Sequence, residues 1–229
     1  MKVLLSMKAV LCYLLIGIFG FFLVTLGGSY FVEKYFERDI GTSLYKEADS
    51  IASYDNVKNI LSEAEADTEN TRKEMQTQLS ALSAFQDTVI SIINEKGEVI
   101  LSSDEISDLD FPLLLDGFDS AEWNKKHYQT GDFYGFFPDD KLSIIAPVTC
   151  DSAVKGYVSI HYKMENIYET RSGILPIIQV IFLIISVFTF LLMLAYRGHI
   201  YLPLQEITKG ATEYANGNLS YKIPVDSDN

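Results

Sequence analysis

"TVISIINEKGEVILSS", residues 88–103, is two β-rich runs around Asn94-Glu95-Lys96-Gly97. Gly97 can take the positive φ that a tight turn needs, so the stretch predicts an antiparallel hairpin. The middle of the chain is therefore read as sheet.

Three further runs follow it: "GDFYGFF" (131–137), "KLSIIAPVTC" (141–150) and "VKGYVSIHYKM" (154–164), joined by the polar turns "PDD" and "DSA". The last two read as adjacent antiparallel strands. With the hairpin they make five strands, and residues 104–130 form a variable stretch between the hairpin and the rest. Before the hairpin the period changes. Val32, Phe36, Ile40, Leu44, Ala48 and Ile51 recur every three or four residues, as on one stripe of a helix. Gly41 is a local weakness in that helix. Met75, Leu79, Leu82 and Phe85 mark a second amphipathic helix, with Asp67 or Thr68 available as its cap. Either stripe could pack on the domain's own sheet or on a partner, and the pattern leaves both open. Helices preceding one antiparallel sheet define a small α+β domain.

Farther out, the chain becomes apolar on every face. Residues 9–32 and 172–196 contain 24 and 25 consecutive residues without a charge. At about 1.5 Å per helical residue, either run can cross a hydrocarbon core of roughly 30 Å. A cleaved signal peptide is the alternative for the first, but its apolar run is longer than the ~7–15 residues of a signal core. A buried core helix is the alternative for the second, and no soluble fold easily hides 25 residues apolar all round. The expected division is a cytoplasmic amino terminus (1–8), a span (9–32), an outer domain (33–171), a second span (172–196) and a cytoplasmic segment (197–229). Lys2 and Lys8 before the first span, with Arg197 and Lys209 after the second, put both termini in the cytoplasm by the positive-inside rule.

The outer segment carries 27 Asp and Glu against 13 Lys and Arg, a net charge of −14 within a chain of net −13. Such a surface repels nucleic acid and bare anionic lipid, and it concentrates cations. Cys12 and Cys150 fall on different sides of the expected membrane boundary and cannot pair within one chain; Cys150 ends an apolar run and reads as a small buried residue.

A long helix leaving an apolar span, the hairpin "ISIINEKGEVILSS", then "IIAPV" and "GYVSIHY" resemble the extracellular PAS-like, or Cache, sensor domains of bacterial transmembrane receptors. The resemblance covers residues 33–171 and lies in pattern. It implies a ligand pocket built on the central sheet from residues 104–137 and one face of the last strand. Trp123, Tyr128, Asp132 and Tyr134 would then stack on and hydrogen-bond a small polar ligand, with Lys125, Lys126 or His127 answering a carboxylate. The same aromatic residues could instead close a small core. His161 alternates with Tyr157 and Ser159, and either enters that pocket or is a satisfied sheet histidine. "DEISDLD" (104–110), with Asp116, Asp119 and Glu122 beyond it, invites a cation. Its spacing lacks the turn glycine of an EF-hand loop, and a solvated loop accounts for it better; no metal site is assigned.

Beyond the second span, Ile200, Leu204, Ile207, Ala211 and Tyr214 are spaced four, three, four, three, the seam of a coiled coil. Pro203 sits near the helix start, Gly217 ends it, and Leu219 and Ile223 follow in an extended connector. This segment resembles the first helix and connector of a HAMP linker, which closes as a parallel four-helix bundle in a homodimer. The alternative is an amphipathic juxtamembrane helix with a disordered tail. The HAMP resemblance implies a second helix after residue 229, so the chain reads as the amino-terminal part of a longer receptor.

No glycine-rich phosphate loop, phosphoacceptor helix or metal-ligand spacing occurs, and His127, His161 and His199 are far apart in sequence, so no catalytic residue and no cofactor is expected within these residues. The linker is most similar to those of sensor histidine kinases. That implies an ATP- and Mg-dependent kinase module after residue 229, a cognate response regulator, and a small extracellular ligand or cation as the signal. The input half of a chemoreceptor or of a cyclic-dinucleotide enzyme could use the same parts, as could a non-catalytic surface binding protein.

Overall fold

The computed structural model describes residues 2–62, 68–103, 112–123 and 128–222. The acidic stretch 104–110, Asp67, Lys125, Lys126, His127 and Ile223 lie outside the described residues. The chain divides into two compact units, residues 29–173 and residues 1–28 with 174–229.

The first unit is the α+β domain. It contains the carboxyl-terminal part of α1 (Lys2–Ala52), then α2 (Asp55–Ser62) and α3 (Thr68–Gln86), followed by β1 (Thr88–Asn94) and β2 (Glu98–Ser102). After these come β3 (Leu113–Leu114), α4 (Ser120–Trp123), β4 (Tyr128–Gly131), β5 (Lys141–Cys150), β6 (Ala153–Lys163) and the start of α5 (Met164–Tyr196). The described strands form one antiparallel sheet in the order β3-β2-β1-β6-β5-β4.

The hairpin turn forms as its residues require. Gly97 has φ +82°, its N–H donates to the Asn94 carbonyl at 3.1 Å, and the Asn94 side-chain oxygen accepts from the N–H groups of Lys96 and Glu98 at 2.9 Å each. The side-chain oxygen does part of the work of a turn carbonyl, which is why Asn suits this position.

The five-strand expectation is corrected to six among the described residues, and one strand is moved. Residues 132–137 form a turn, and the strand before it is Tyr128–Gly131, paired with β5 in the register Gly131↔Lys141. The aromatic residues of "GDFYGFF" signalled a strand because such residues favour half-buried pleated surfaces. Here the burial comes from a turn that folds them back under the sheet: Phe133 and Phe137 are buried, with Phe133, Tyr134 and Gly135 all at positive φ. The two-residue β3 had no periodicity to announce it.

Alternation along the strands sorts side chains onto two faces. Ile90 and Ile92 of β1, Leu142, Ile144, Ala146 and Val148 of β5, and Val158 and Ile160 of β6 join one buried cluster with Leu44, Ala48 and Ile51 of α1, Val57 and Ile60 of α2, and Met75 and Leu79 of α3. Both helical stripes therefore pack on the domain's own sheet. Each fully buried side chain of this size contributes about 1.5–3 kcal/mol from removal of apolar surface from water. Phe85 departs from its stripe and is 89% exposed. The other sheet face carries a smaller aromatic cluster of Ile93, Val99, Leu115, Trp123, Phe133, Phe137 and Ile145. Arg171 of α5 donates to Glu33 of α1 at 2.6 Å and packs over the Tyr168 ring.

The second unit holds the two apolar helical stretches, both long and apolar enough to cross a membrane. Within it the Tyr13 hydroxyl donates to the Ser186 carbonyl, Gln179 donates to the Thr25 hydroxyl at 3.2 Å, and Gly20 leaves room for the Phe182 ring. Hydrogen bonds between apolar helices satisfy groups that lipid cannot, and small residues let the helices approach. The helix continues from α5 through a π-helical turn, Arg197–Tyr201, into α6 (Leu202–Ala215). Pro203 lies in the first turn of α6, and the wider turn before it accommodates a ring that would otherwise meet the preceding carbonyls. Gly217 has φ +87°, and its N–H donates to the Tyr214 carbonyl at 3.0 Å, ending the helix. Leu204, Ile207, Ala211, Tyr214 and Leu219 are all exposed in the single chain.

Both cysteines are free; Cys150 is half-buried rather than buried, with the Ser62 hydroxyl 3.9 Å from its sulfur.

Candidate functional site

A cleft of about 230 Å³ opens on the sheet face opposite the helices, lined by Trp123, Gln129, Thr130, Gly131, Asp132, Phe133, Tyr134 and Ser143. Its wall is the turn after β4 and its floor is β5. That turn holds two consecutive bulky non-glycine residues in the left-handed region, Phe133 (φ +51°) and Tyr134 (φ +58°). Such backbone costs of order 1–3 kcal/mol per residue and persists only where surrounding contacts fix it. Those contacts are present. Phe133 meets the rings of Trp123, Tyr134, Phe137 and His161 at centroid separations of 4.3–6.5 Å. Trp123 donates its indole N–H to the Tyr134 hydroxyl oxygen at 2.9 Å, tying the end of α4 to the turn.

Of the residues singled out from sequence, Trp123, Asp132 and Tyr134 line the cleft together. Tyr128 does not. It lies opposite Ile144 in the ladder, on the helix-facing side, and its ring meets Gly41 of α1. His161 lies beneath the cleft without lining it and is 1% exposed. Its Nδ1 is 2.8 Å from Ser143 Oγ and its Nε2 is 3.0 Å from Ser159 Oγ. Burial, with a smaller contribution from the Lys141 charge, pushes its pKa down to about 3, so it is neutral at ordinary pH.

His161 belongs to a polar row that crosses the buried sheet. Ser102, Ser91 and Ser159 are successive register partners on β2, β1 and β6, and His161, Ser143 and Gln129 are partners on β6, β5 and β4. The first serine pair is also joined by side chains, Ser91 Oγ donating to Ser102 Oγ at 3.2 Å. Sequence reasoning missed Ser143, Phe133, Gln129 and Thr130. A signal was available for the serines: "VISII", "LSIIA" and "VSIHY" each set a serine within an otherwise apolar strand, and a buried polar group needs a partner.

Among the described residues, no three His, Cys, Asp or Glu side chains come together as a metal site. The residues of the cleft can hydrogen-bond and stack on a small molecule; the Ser143 hydroxyl there is paired with the His161 imidazole, which is closed off beneath the cleft.

No protein-family model matches the chain, and no curated protein does. Among solved structures, it is similar to the sensor domain of the Vibrio cholerae histidine kinase DctB, at 17% identity and a TM-score of 0.42, covering 63% of this chain and 58% of that one. It is also similar to the ligand-binding domain of the Campylobacter jejuni chemoreceptor Tlp3 in complex with L-valine, at 14% identity and a TM-score of 0.38, covering 66% and 65% of the two chains. The chain spans about three fifths of the length of the first solved structures that it matches.

Proposed function

We propose that residues 33–171 are an extracellular sensor domain of the PAS-like, or Cache, kind, and that the chain is the ligand-sensing and signal-transmission part of a bacterial sensor histidine kinase. The two apolar helices cross the cell membrane with both termini cytoplasmic. A small ligand binds in the cleft beside Trp123, Asp132 and Tyr134. The observation that carries this reading is the cleft itself, a strained aromatic turn closing over a buried polar row in a domain entered and left by apolar helices.

Transmission follows from connectivity. The cleft floor is β5, its neighbour β6 ends at Lys163, and α5 begins at the next residue. A ligand that binds one arrangement of this sheet better than another shifts the balance between arrangements by its difference in affinity, and by no more. The exposed seam of Leu204, Ile207, Ala211 and Tyr214 supports a homodimeric HAMP linker, because an apolar stripe of that spacing needs a complement. Gly217, Leu219 and Ile223 would form its connector. ATP and Mg would belong to the kinase module, and the response regulator would be its phosphate acceptor. An output of the chemoreceptor or cyclic-dinucleotide type uses the same input part.

Two measurements test this. The full chain in detergent micelles, melted with amino acids, organic acids and divalent cations, should show a Tm that rises with the concentration of at least one compound and does not rise in Trp123→Ala. If no compound raises Tm, the sensor reading fails. The protein with its continuing coding sequence should autophosphorylate from ATP and Mg on a histidine after residue 229; a methylatable coiled coil or a cyclase signature there would replace the kinase by one of the other outputs.

A further inference from the structure

The hydrogen atoms of the buried polar row decide what the cleft asks of a ligand. A neutral imidazole has one N–H and one lone pair. Ser159 Oγ lies 3.0 Å from His161 Nε2 and 3.4 Å from the Ser91 carbonyl oxygen. A carbonyl oxygen only accepts, so in the arrangement where the Ser159 hydroxyl proton goes to Ser91, Ser159 Oγ accepts from Nε2–H. Nδ1 then carries the lone pair and takes the hydroxyl proton of Ser143 across 2.8 Å. Ser143 is 2% exposed and lines the cleft, so it presents lone pairs there with its proton already committed.

The rest of the lining is mixed in hydrogen bonding, since Gln129, Thr130 and the Tyr134 hydroxyl can donate as well as accept, and its one charge is negative. The Asp132 carboxylate accepts only. The described lining residues include no Lys, Arg or His, and the nearby Lys141 ammonium lies over the Phe137 ring, outside the lining. Trp123, Phe133 and Tyr134 supply aromatic surface, which favours cations and disfavours anions.

Resting on the reading of the cleft as the ligand site, we propose that its ligand is a small protonated amine, whose N–H groups donate to Asp132 and Ser143 and whose charge lies against the rings of Trp123 and Tyr134. The cleft, at about 230 Å³, is below the usual range of drug-sized sites, roughly 300–1,000 Å³, which limits the ligand to a few heavy atoms around the ammonium. A free carboxylate would meet the like charge of Asp132.

Trp123 is the chain's one tryptophan, so intrinsic fluorescence reports directly on this cleft. The full chain in detergent micelles is titrated at fixed ionic strength with n-butylammonium and putrescine chlorides, and separately with sodium butyrate and succinate. The ammonium probes should change Trp123 emission saturably, and the carboxylates should not. Asp132→Asn, at an exposed position that folding tolerates, should weaken the ammonium probes roughly tenfold or more, and Ser143→Ala should weaken them in the same direction. Saturable binding of the carboxylates alone, or of both classes equally, overturns the amine assignment and leaves the cleft as a ligand site. Ammonium binding that Asp132→Asn leaves unchanged also overturns the assignment, because the probe then sits elsewhere. If no probe of either class changes the emission and no compound raises Tm, the amine proposal and the sensor reading fall together.

Discussion

His161 Nδ1 lies 2.8 Å from Ser143 Oγ, and the two residues are direct partners across the β5–β6 ladder. One side of that bond is the closed interior of the sheet and the other is the floor of the cleft. Its first consequence is a pH dependence of folding. The folded pKa of His161 is depressed to about 3, against about 6.5 in an unfolded chain. Above the unfolded value both states are neutral and the stability is complete. As pH falls from about 6.5 toward 3, only the unfolded chain takes up the proton, and stability falls by up to about 1.4 kcal/mol per pH unit. Between pH 7 and pH 5 the domain should lose about 2 kcal/mol from this group, seen as a lower Tm followed by Trp123 emission. His161→Gln should flatten this part of the profile; an unchanged slope would assign it to other groups.

Gly41 is not a weakness of α1 but a requirement of its packing. A Cβ built there would come within 2.8 Å of Tyr128 Cδ1, 2.9 Å of Cγ and 3.2 Å of Cβ, atoms at the root of the side chain that cannot swing away. Gly to Ala in a helix ordinarily gains up to about 1 kcal/mol. Here overpacking should outweigh that, and Gly41→Ala should destabilise by about 1–3 kcal/mol. In a double-mutant cycle by chemical denaturation, Tyr128→Ala should remove most of the effect. Simple additivity of the two would mean that they do not touch.

Gly156 is under a harder constraint. A Cβ there would lie 2.3 Å from the Ile93 carbonyl oxygen and 2.7 Å from Leu61 Cδ2. The carbonyl belongs to the β1–β6 ladder, where Asn94 pairs with Gly156, and it cannot move without separating the strands. Gly156→Ala should therefore cost more than Gly41→Ala, at or above about 3 kcal/mol, and should lower the yield of folded protein. A variant with wild-type Tm would show that the ladder opens freely at this end.

Along α3, one apolar stripe has two outcomes. Leu79 is fully buried in the sheet-facing cluster, and Leu79→Ala should cost about 2–5 kcal/mol. Phe85, exposed to 89%, should tolerate Ser within about 0.5 kcal/mol. Thermal melts of the two variants distinguish them directly; equal losses would mean that Phe85 is covered in the assembled protein.

Much of this architecture follows from sequence by itself. The two apolar stretches need only length and the absence of charge, the hairpin needs Asn94 and Gly97, and the α1 stripe through Leu44, Ala48 and Ile51 needs only a period of 3.6. These are properties of neighbours in the chain, and local chemistry is enough to state them. The site depends on more distant relations. Tyr128 and Gln129 are adjacent, yet the register with Ile144 and Ser143 turns the first toward the helices and the second toward the cleft. A strand boundary misplaced by three residues hides that choice, because side chains alternate with every step. The same holds for Phe133 and Tyr134, whose aromatic character reads as strand until the turn is seen. The serines of β1, β5 and β6 are unremarkable singly. Only strand pairing sets them beside His161 and brings Ser143 to the floor of the cleft.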